Sequence, residues 1–533
     1  MAASTSAAYD AAIYAPVRRT VATVGFDLAP PEAKLRAVVT SPAGNAFSRA
    51  GQLLDDIQEM GAPIATFEPD YWRLDGQFVL PVPPGETDYE IGWWGQEMSG
   101  ANGQLAQPCV MQITFSEVQK VPSLGLVFDT RTGCTIADFD VFFYNSSGAV
   151  VLQESFRGNG QTEVYTKGGA GQVRSIRVVM MRTAQAYRFP RMSEINFGIR
   201  LRFDGESLLE TSLVTEADPM GESVPFPRLQ VTVRNDGRFN VLEDDDLSQY
   251  LQNRQALEYN HGVQLDSGDA EFVYGGAYYL EGWRVSDDRI VFDAAGASSV
   301  LEKTTYSGTA FELLSVGALL ARVLAASGLA YEVDASLFSS PPVCAYMGEI
   351  SVREAVKHAA MLAGAMVYEG RRNTMRAQDL LIGGAATDLI DYENMMEAPA
   401  LRQSQYFNGI LLTEYTAKAN GDGFESAETF YPAPWYDETE PQYGYVVNLP
   451  CMVQNKNAQH AALREWFLER RFALLARRIT AEVAWRQNPA QAVGDLIAVQ
   501  ADRRGKIVQA HVAYAALRYM AGVLDGETRA LLV

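Results

Sequence analysis

Apolar and polar residues alternate with a period of two over long stretches of this chain. The alternation is densest between Gln107 and Gly198. There the segments VMQITFSE, SLGLVFDT, DFDVFFYN, GAVVLQES, QTEVYTKG and VRSIRVVMMR each read as a short strand. Ser146-Ser147-Gly148 and Gly158-Asn159-Gly160 punctuate them as turns. In SIRVVMM, Ile176, Val178 and Met180 share one face and Arg177 takes the other. Short strands at this spacing predict an antiparallel sandwich.

Elsewhere the period shifts toward 3.6. SRAGQLLDDIQEMG predicts a short helix capped by Ser48, striped by Leu53, Leu54 and Ile57, and ended by Gly61. SVGALLARVLAASG predicts another, with Ser315 as N-cap and Gly328 just past its end. SVREAVKHAAMLAG carries a capping box, Ser351 and Glu354, and stops at Gly364. AQHAALREWFLERRFALLARR reads as a long helix. AMVYEGRRNTMRAQDL predicts a hairpin, and the chain from Ile479 returns to strands and turns. The fold class expected is mainly β with an α+β part.

Length and charge narrow the function. A chain of 533 residues exceeds one core and predicts several domains. Its net charge of −21 excludes a binder of duplex DNA, which neutralises phosphates with Lys and Arg, and excludes an anionic membrane surface as partner. Cys109, Cys134, Cys344 and Cys451 lack paired spacing and predict buried free thiols. The N-terminus shows no basic start followed by an apolar run, so no secretory signal is expected, and no segment reaches the roughly 20 apolar residues of a spanning helix.

Candidate chemistry is thin. The four histidines, His261, His358, His460 and His511, form no metal-ligand pair, and no G-x-S-x-G elbow occurs. No catalytic, cofactor or metal residue is assigned, and no enzyme activity is expected. The acidic run Glu243 to Asp246 reads as a solvated loop, with calcium binding a weaker alternative because the spacing of a calcium loop is missing. Sugar binding has a better physical case, since aromatic faces and Arg donors at the ends of a sandwich suit a sugar. Trp93, Trp94, Tyr187, Arg188 and Arg191 are the glycan-binding candidates. For the tryptophan pair the competing reading is a plug in the sandwich core.

EIGWWGQEMSGANGQ, VMQITFSE, LGLVFD, DFDVFFYNSSGAVV, VRSIRVVMMR and YRFPRMSEINFGI together resemble a discoidin-like, coagulation-factor C-type galactose-binding jelly roll, of the version found in tail proteins of tailed phages. The flanking chain resembles the baseplate or tail-tip hub family of those phages. Its blocks are VPFPRLQVTVRNDGRFNVL, GGAYYLEGWRV, SVREAVKHAAMLAGAMVYEGRRNTMRA and WRQNPAQAVGDLIAVQ. The resemblance implies residues 1–63 as first hub strands, 64–199 as the jelly roll, 200–302 as a first small barrel, 303–398 as an α/β domain, and 399–533 as a second barrel with closing strands. It also implies a homotrimer at the virion tail tip, assembled in the host bacterial cytoplasm. The implied partners are a distal tail protein, a tape-measure protein, tail fibres or receptor-binding proteins, and a host surface glycan. A glycan-active enzyme with an accessory sugar-binding domain is the alternative. YRFPRMSEINFGI then reads as the closing strand of the module, with Ile195 and Phe197 pointing into its core.

Overall fold

The computed structural model describes residues 3–28, 33–55, 64–71, 78, 80, 91–129, 132–167, 169–235, 239, 251–308, 312–418, 423–454 and 458–533. The chain divides into two compact units. One takes in Met1–Phe26 and most of the chain from Arg202 to Val533, and the other is Asp27–Leu201.

The unit of residues 27–201 is the sandwich that the alternation predicts. A five-stranded sheet runs in the order Ala37–Thr40, Gln104–Val121, Ala170–Thr183, Ile136–Tyr144, Val150–Phe156. A four-stranded sheet runs Trp93–Trp94, Arg191–Phe197, Leu124–Phe128, Glu163–Tyr165. The pairings are antiparallel. Alternate side chains fill the space between the sheets. Met111, Ile113 and Phe115 come from one strand, Ile176, Val178 and Met180 from its neighbour, and all are fully buried. Ile195 and Phe197 join them, and Phe197 meets Phe115 edge to face at 5.1 Å between ring centroids. Cys109 and Cys134 are buried free thiols, each pushed up to about 11 by burial, and Cys344 is half-buried. The side chain of Cys451 lies outside the described residues.

The segment before residue 64 departs from the expected division. Ala37–Thr40 pairs with the strand Gln104–Val121, and Ala33, Val39 and Leu53 are buried in the sandwich core. This stretch therefore builds the module. Only the chain up to the strand Thr20–Leu28 supplies the other unit's sheet, where that strand pairs with Ala256–Gln264. The short helix expected from Ser48 is a 3-10 turn, Ala50–Leu54. Ser48 is not its cap: the hydroxyl accepts from the Trp94 amide at 2.8 Å and donates to the Trp94 carbonyl at 2.7 Å.

In the larger unit the helices follow their sequence signals. Ser315 caps Val316–Ala325 by accepting from the Ala318 amide. Ser351 caps Val352–Ala363 by accepting from the Glu354 amide, while the Glu354 carboxylate turns to Lys357 instead of closing the box. Gly364 ends that helix at φ 58°, the left-handed geometry a C-terminal glycine allows. The expected hairpin is Met366–Glu369 paired with Met375–Gln378. The helix Ala7–Tyr14 went unforeseen: capped by Ser6, it buries Tyr9 and Ile13 against Val263, Val273 and Ala490.

The two small barrels are not separate closed bodies among the described residues. Most of their strands join one 13-stranded sheet, while Gly409–Ala417, Phe424–Pro432 and Gly444–Gln454 form a separate three-stranded sheet. The strand Leu208–Glu216 makes the join, pairing with Arg228–Arg234 on one side and Ile507–Met520 on the other. Both edges of its backbone are thereby satisfied, one by the strand that follows it in sequence and the other by a strand near residue 533.

Candidate functional site

The sequence candidates converge on one end of the sandwich, but most of them face inward. Trp93 and Trp94 form a two-residue strand against Met192 and Arg191, and each is 1% exposed. Trp93 belongs to the main core, and a Cβ added at Gly44 would lie 3.1 Å from its indole nitrogen. Trp94 packs edge to face with Phe47 and donates from its indole to the Ile91 carbonyl at 3.0 Å. Neither tryptophan presents a face to solvent.

Arg191 is also buried. Its guanidinium pairs with Glu68 through one nitrogen and with Asp129 at 3.2 Å through another. The rings of Tyr71 and Trp94 lie 4.2 and 4.0 Å from its central carbon. Two carboxylates and two rings thus surround one buried cation, the condition under which burying a charge is tolerated, although its Nε has no partner among the described residues. Asp129 also accepts from the Thr132 amide at 3.2 Å, and Glu68 accepts from the Phe189 amide at 2.8 Å. Arg191 therefore locks the segments around residues 68, 129 and 191 together, and it is not placed to touch a ligand.

Tyr187 and Arg188 sit at the rim above this lock. Tyr187 is 42% exposed and holds φ 54°, a left-handed conformation that costs energy for a bulky side chain. Ser99 fixes the turn: its hydroxyl accepts from the Arg188 amide at 3.0 Å and from the Thr183 hydroxyl at 2.7 Å, and its amide donates to the Arg188 carbonyl. Arg188 donates to the Pro69 carbonyl at 2.8 Å. The loop it holds carries Phe67, which is 97% exposed. Phe67 is the rim residue that sequence reading missed. Its only local signal is an aromatic residue in a polar loop, TFEPD. Two exposed rings and a guanidinium thus stand on the rim, groups suited to the flat face and hydroxyls of a sugar.

The histidines build no site of their own. His261 is fully buried, and burial holds its imidazole down at about 3. Burial also lowers His358 and His511. His460 pairs with Glu414 at 3.3 Å beside Arg464. Among the described residues no cluster of His, Cys, Asp or Glu could hold a metal ion, and no helix is long and apolar enough to cross a membrane. The acidic run Glu243 to Asp246 lies outside the described residues.

No family model matches the chain, and no curated protein matches it. Solved structures do. A tail protein from Neisseria meningitidis MC58 is similar over 63% of this chain and 94% of its own, at 10% identity and a TM-score of 0.41. The 43 kDa tail protein of prophage MuSo2 from Shewanella oneidensis is similar over 62% and 94%, at 10% identity and a TM-score of 0.38. The family 32 carbohydrate-binding module of C. perfringens NanJ, solved with galactose, is similar over 33% of this chain and 99% of its own, at 12% identity and a TM-score of 0.21. The structural neighbours of this chain are thus tail proteins and carbohydrate-binding modules.

Proposed function

We propose that this chain is a structural virion protein of a phage tail tip or baseplate. Its larger unit acts as a hub that closes the tail tube as a homotrimer. Its sandwich acts as a contact module for a host surface glycan or for other tail proteins. The observation that carries this reading is the insertion of one unit within the chain of the other. The strands that flank the module, Thr20–Leu28 and Ile199–Phe203, are neighbours in the large sheet. The chain thus leaves the large sheet after one strand, forms a separately cored module, and re-enters the sheet in the neighbouring strand. A ring subunit needs such a sheet and broad side surfaces, and it needs no catalytic cleft. The sequence blocks that resemble the hub family fall in the larger unit, and those that resemble the jelly roll fall in the sandwich.

The reading assigns Tyr187, Arg188 and Phe67 as the glycan contacts. It leaves Trp93, Trp94 and Arg191 the task of shaping the rim beneath them. The distal tail protein, the tape-measure protein and tail fibres are the assembly partners it implies. Light scattering on the full chain tests the hub: a trimer mass supports it, and a strict monomer at high concentration counts against it. A glycan array carrying the surface polysaccharides of the host tests the module.

A further inference from the structure

The larger unit contains a cavity of about 530 Å³ for which the tail reading has no use. Its walls come from the strand Ala270–Val285, the turn after the strand Met366–Glu369, and the loop at residues 489–493. Phe272, Tyr274 and Tyr278 supply ring surface. A volume within roughly 300–1,000 Å³ is that of small-molecule sites, which join apolar walls to a few placed polar groups.

Arg371 is the principal polar group. Its Nη2 donates to the carbonyls of Pro489 at 2.5 Å and Gln491 at 2.7 Å. Its buried Nη1 has no partner among the described residues. The hydrogen bonds of the guanidinium go to neutral carbonyls, and the buried Asp495 carboxylate acts on it only through its field. Two more buried nitrogens on the same wall, Nε2 of Gln491 and Nε2 of His261, also have no partner among the described residues, and their side chains are only 4% and 2% exposed. The acids of the wall are engaged elsewhere. Glu332 pairs with Arg376 at 3.0 Å, and Glu369 accepts from the amides of Ala297 and Ser298 at 2.8 Å each.

A buried cation and unpartnered amide donors are costly unless an acceptor, preferably an anionic one, meets them. We propose that this cavity binds a small organic carboxylate, anchored by Arg371 Nη1 and Gln491 Nε2, with its apolar body against Tyr274 and Tyr278. Both donors belong to residues that line the cavity, and a carboxylate offers two oxygens to accept from them. Of the other guanidiniums that line the cavity, Arg376 is paired with Glu332 and Arg372 is exposed, so a phosphate, with its higher charge, would meet one buried cation.

Titration of the full chain with benzoate, benzamide and inorganic phosphate tests this. Benzoate is expected to bind at least roughly tenfold more tightly than benzamide, its neutral counterpart of the same shape, because the charge-assisted bonds are absent for the amide. Benzoate is also expected to bind more tightly than phosphate. Arg371→Gln keeps a polar head for the two carbonyls and is expected to lose the benzoate preference while still melting cooperatively. Equal affinity for benzoate and benzamide in the unaltered protein would overturn the proposal, as would no binding of benzoate. Tighter binding of phosphate would overturn the carboxylate assignment. The comparison within the unaltered chain decides the matter even if Arg371→Gln fails to fold.

Discussion

The guanidinium of Arg191 lies 4.0 Å from the ring centroid of Trp94, and both side chains are shut away from solvent. Residues that read as ligand contacts in the sequence thus contact each other, and the carboxylates of Glu68 and Asp129 complete the set.

Arg191→Met should cost about 3–5 kcal/mol, because it strands two buried carboxylates without their cation. Urea unfolding of the full chain at neutral pH measures it. A loss below about 1 kcal/mol would show that the cluster is solvated and that Arg191 is open to ligands after all.

Tyr187→Gly separates fold from recognition. Glycine accepts the left-handed geometry at φ 54° without strain, so the melting temperature should change little. Binding to any glycan that the module recognises should fall by about 1 kcal/mol, roughly fivefold, through loss of one aromatic face. The matching change at Phe67, Phe67→Ala, should also leave stability intact, because that ring is 97% exposed. Unchanged glycan binding in both variants would remove the rim from consideration.

His261 should make the protein acid-sensitive well above the carboxylate range. Burial holds its folded value at about 3, against 6.5 in an ordinary setting. Between those values the unfolded chain takes up a proton that the folded chain refuses, so stability is full above 6.5 and falls as pH drops toward 3. A drop from pH 6.5 to 5 should remove about 2 kcal/mol through this one side chain. Urea midpoints across that range measure it, and the slope should flatten in His261→Phe.

Gly494 should not tolerate a side chain. It holds φ +91°, and an added Cβ would lie 2.0 Å from the Tyr368 hydroxyl. Gly494→Ala should cost about 2 kcal/mol or more from left-handed strain and crowding together. A thermal melt unchanged from that of the parent chain would refute this.

Signals that act over a few residues were readable. Ser315 and Ser351 cap their helices from beside them, Gly364 ends one, and the alternation in SIRVVMM assigns Ile176, Val178 and Met180 to the core face before any partner strand is known. The closing strand with Ile195 and Phe197 is readable for the same reason. Pairings between distant segments were not. Nothing local to the strand Leu208–Glu216 shows that Ile507–Met520 lies beside it. Ala37–Thr40 is as good a hub strand as a sandwich strand until it meets Gln112 to Phe115.

By itself the sequence determined most element types, the β character and the faces of the sandwich's main strands, because periodicity, caps and turns are properties of neighbouring residues; the inserted module came from the family resemblance. Only the tertiary structure decided which aromatic and charged residues meet water. Arg191 meets Glu68 across 123 residues of chain, and that meeting makes it part of the core. Phe67, in the same distant loop, is left outside. Burial is set by what packs on a residue from elsewhere, and the local pattern carries no record of that.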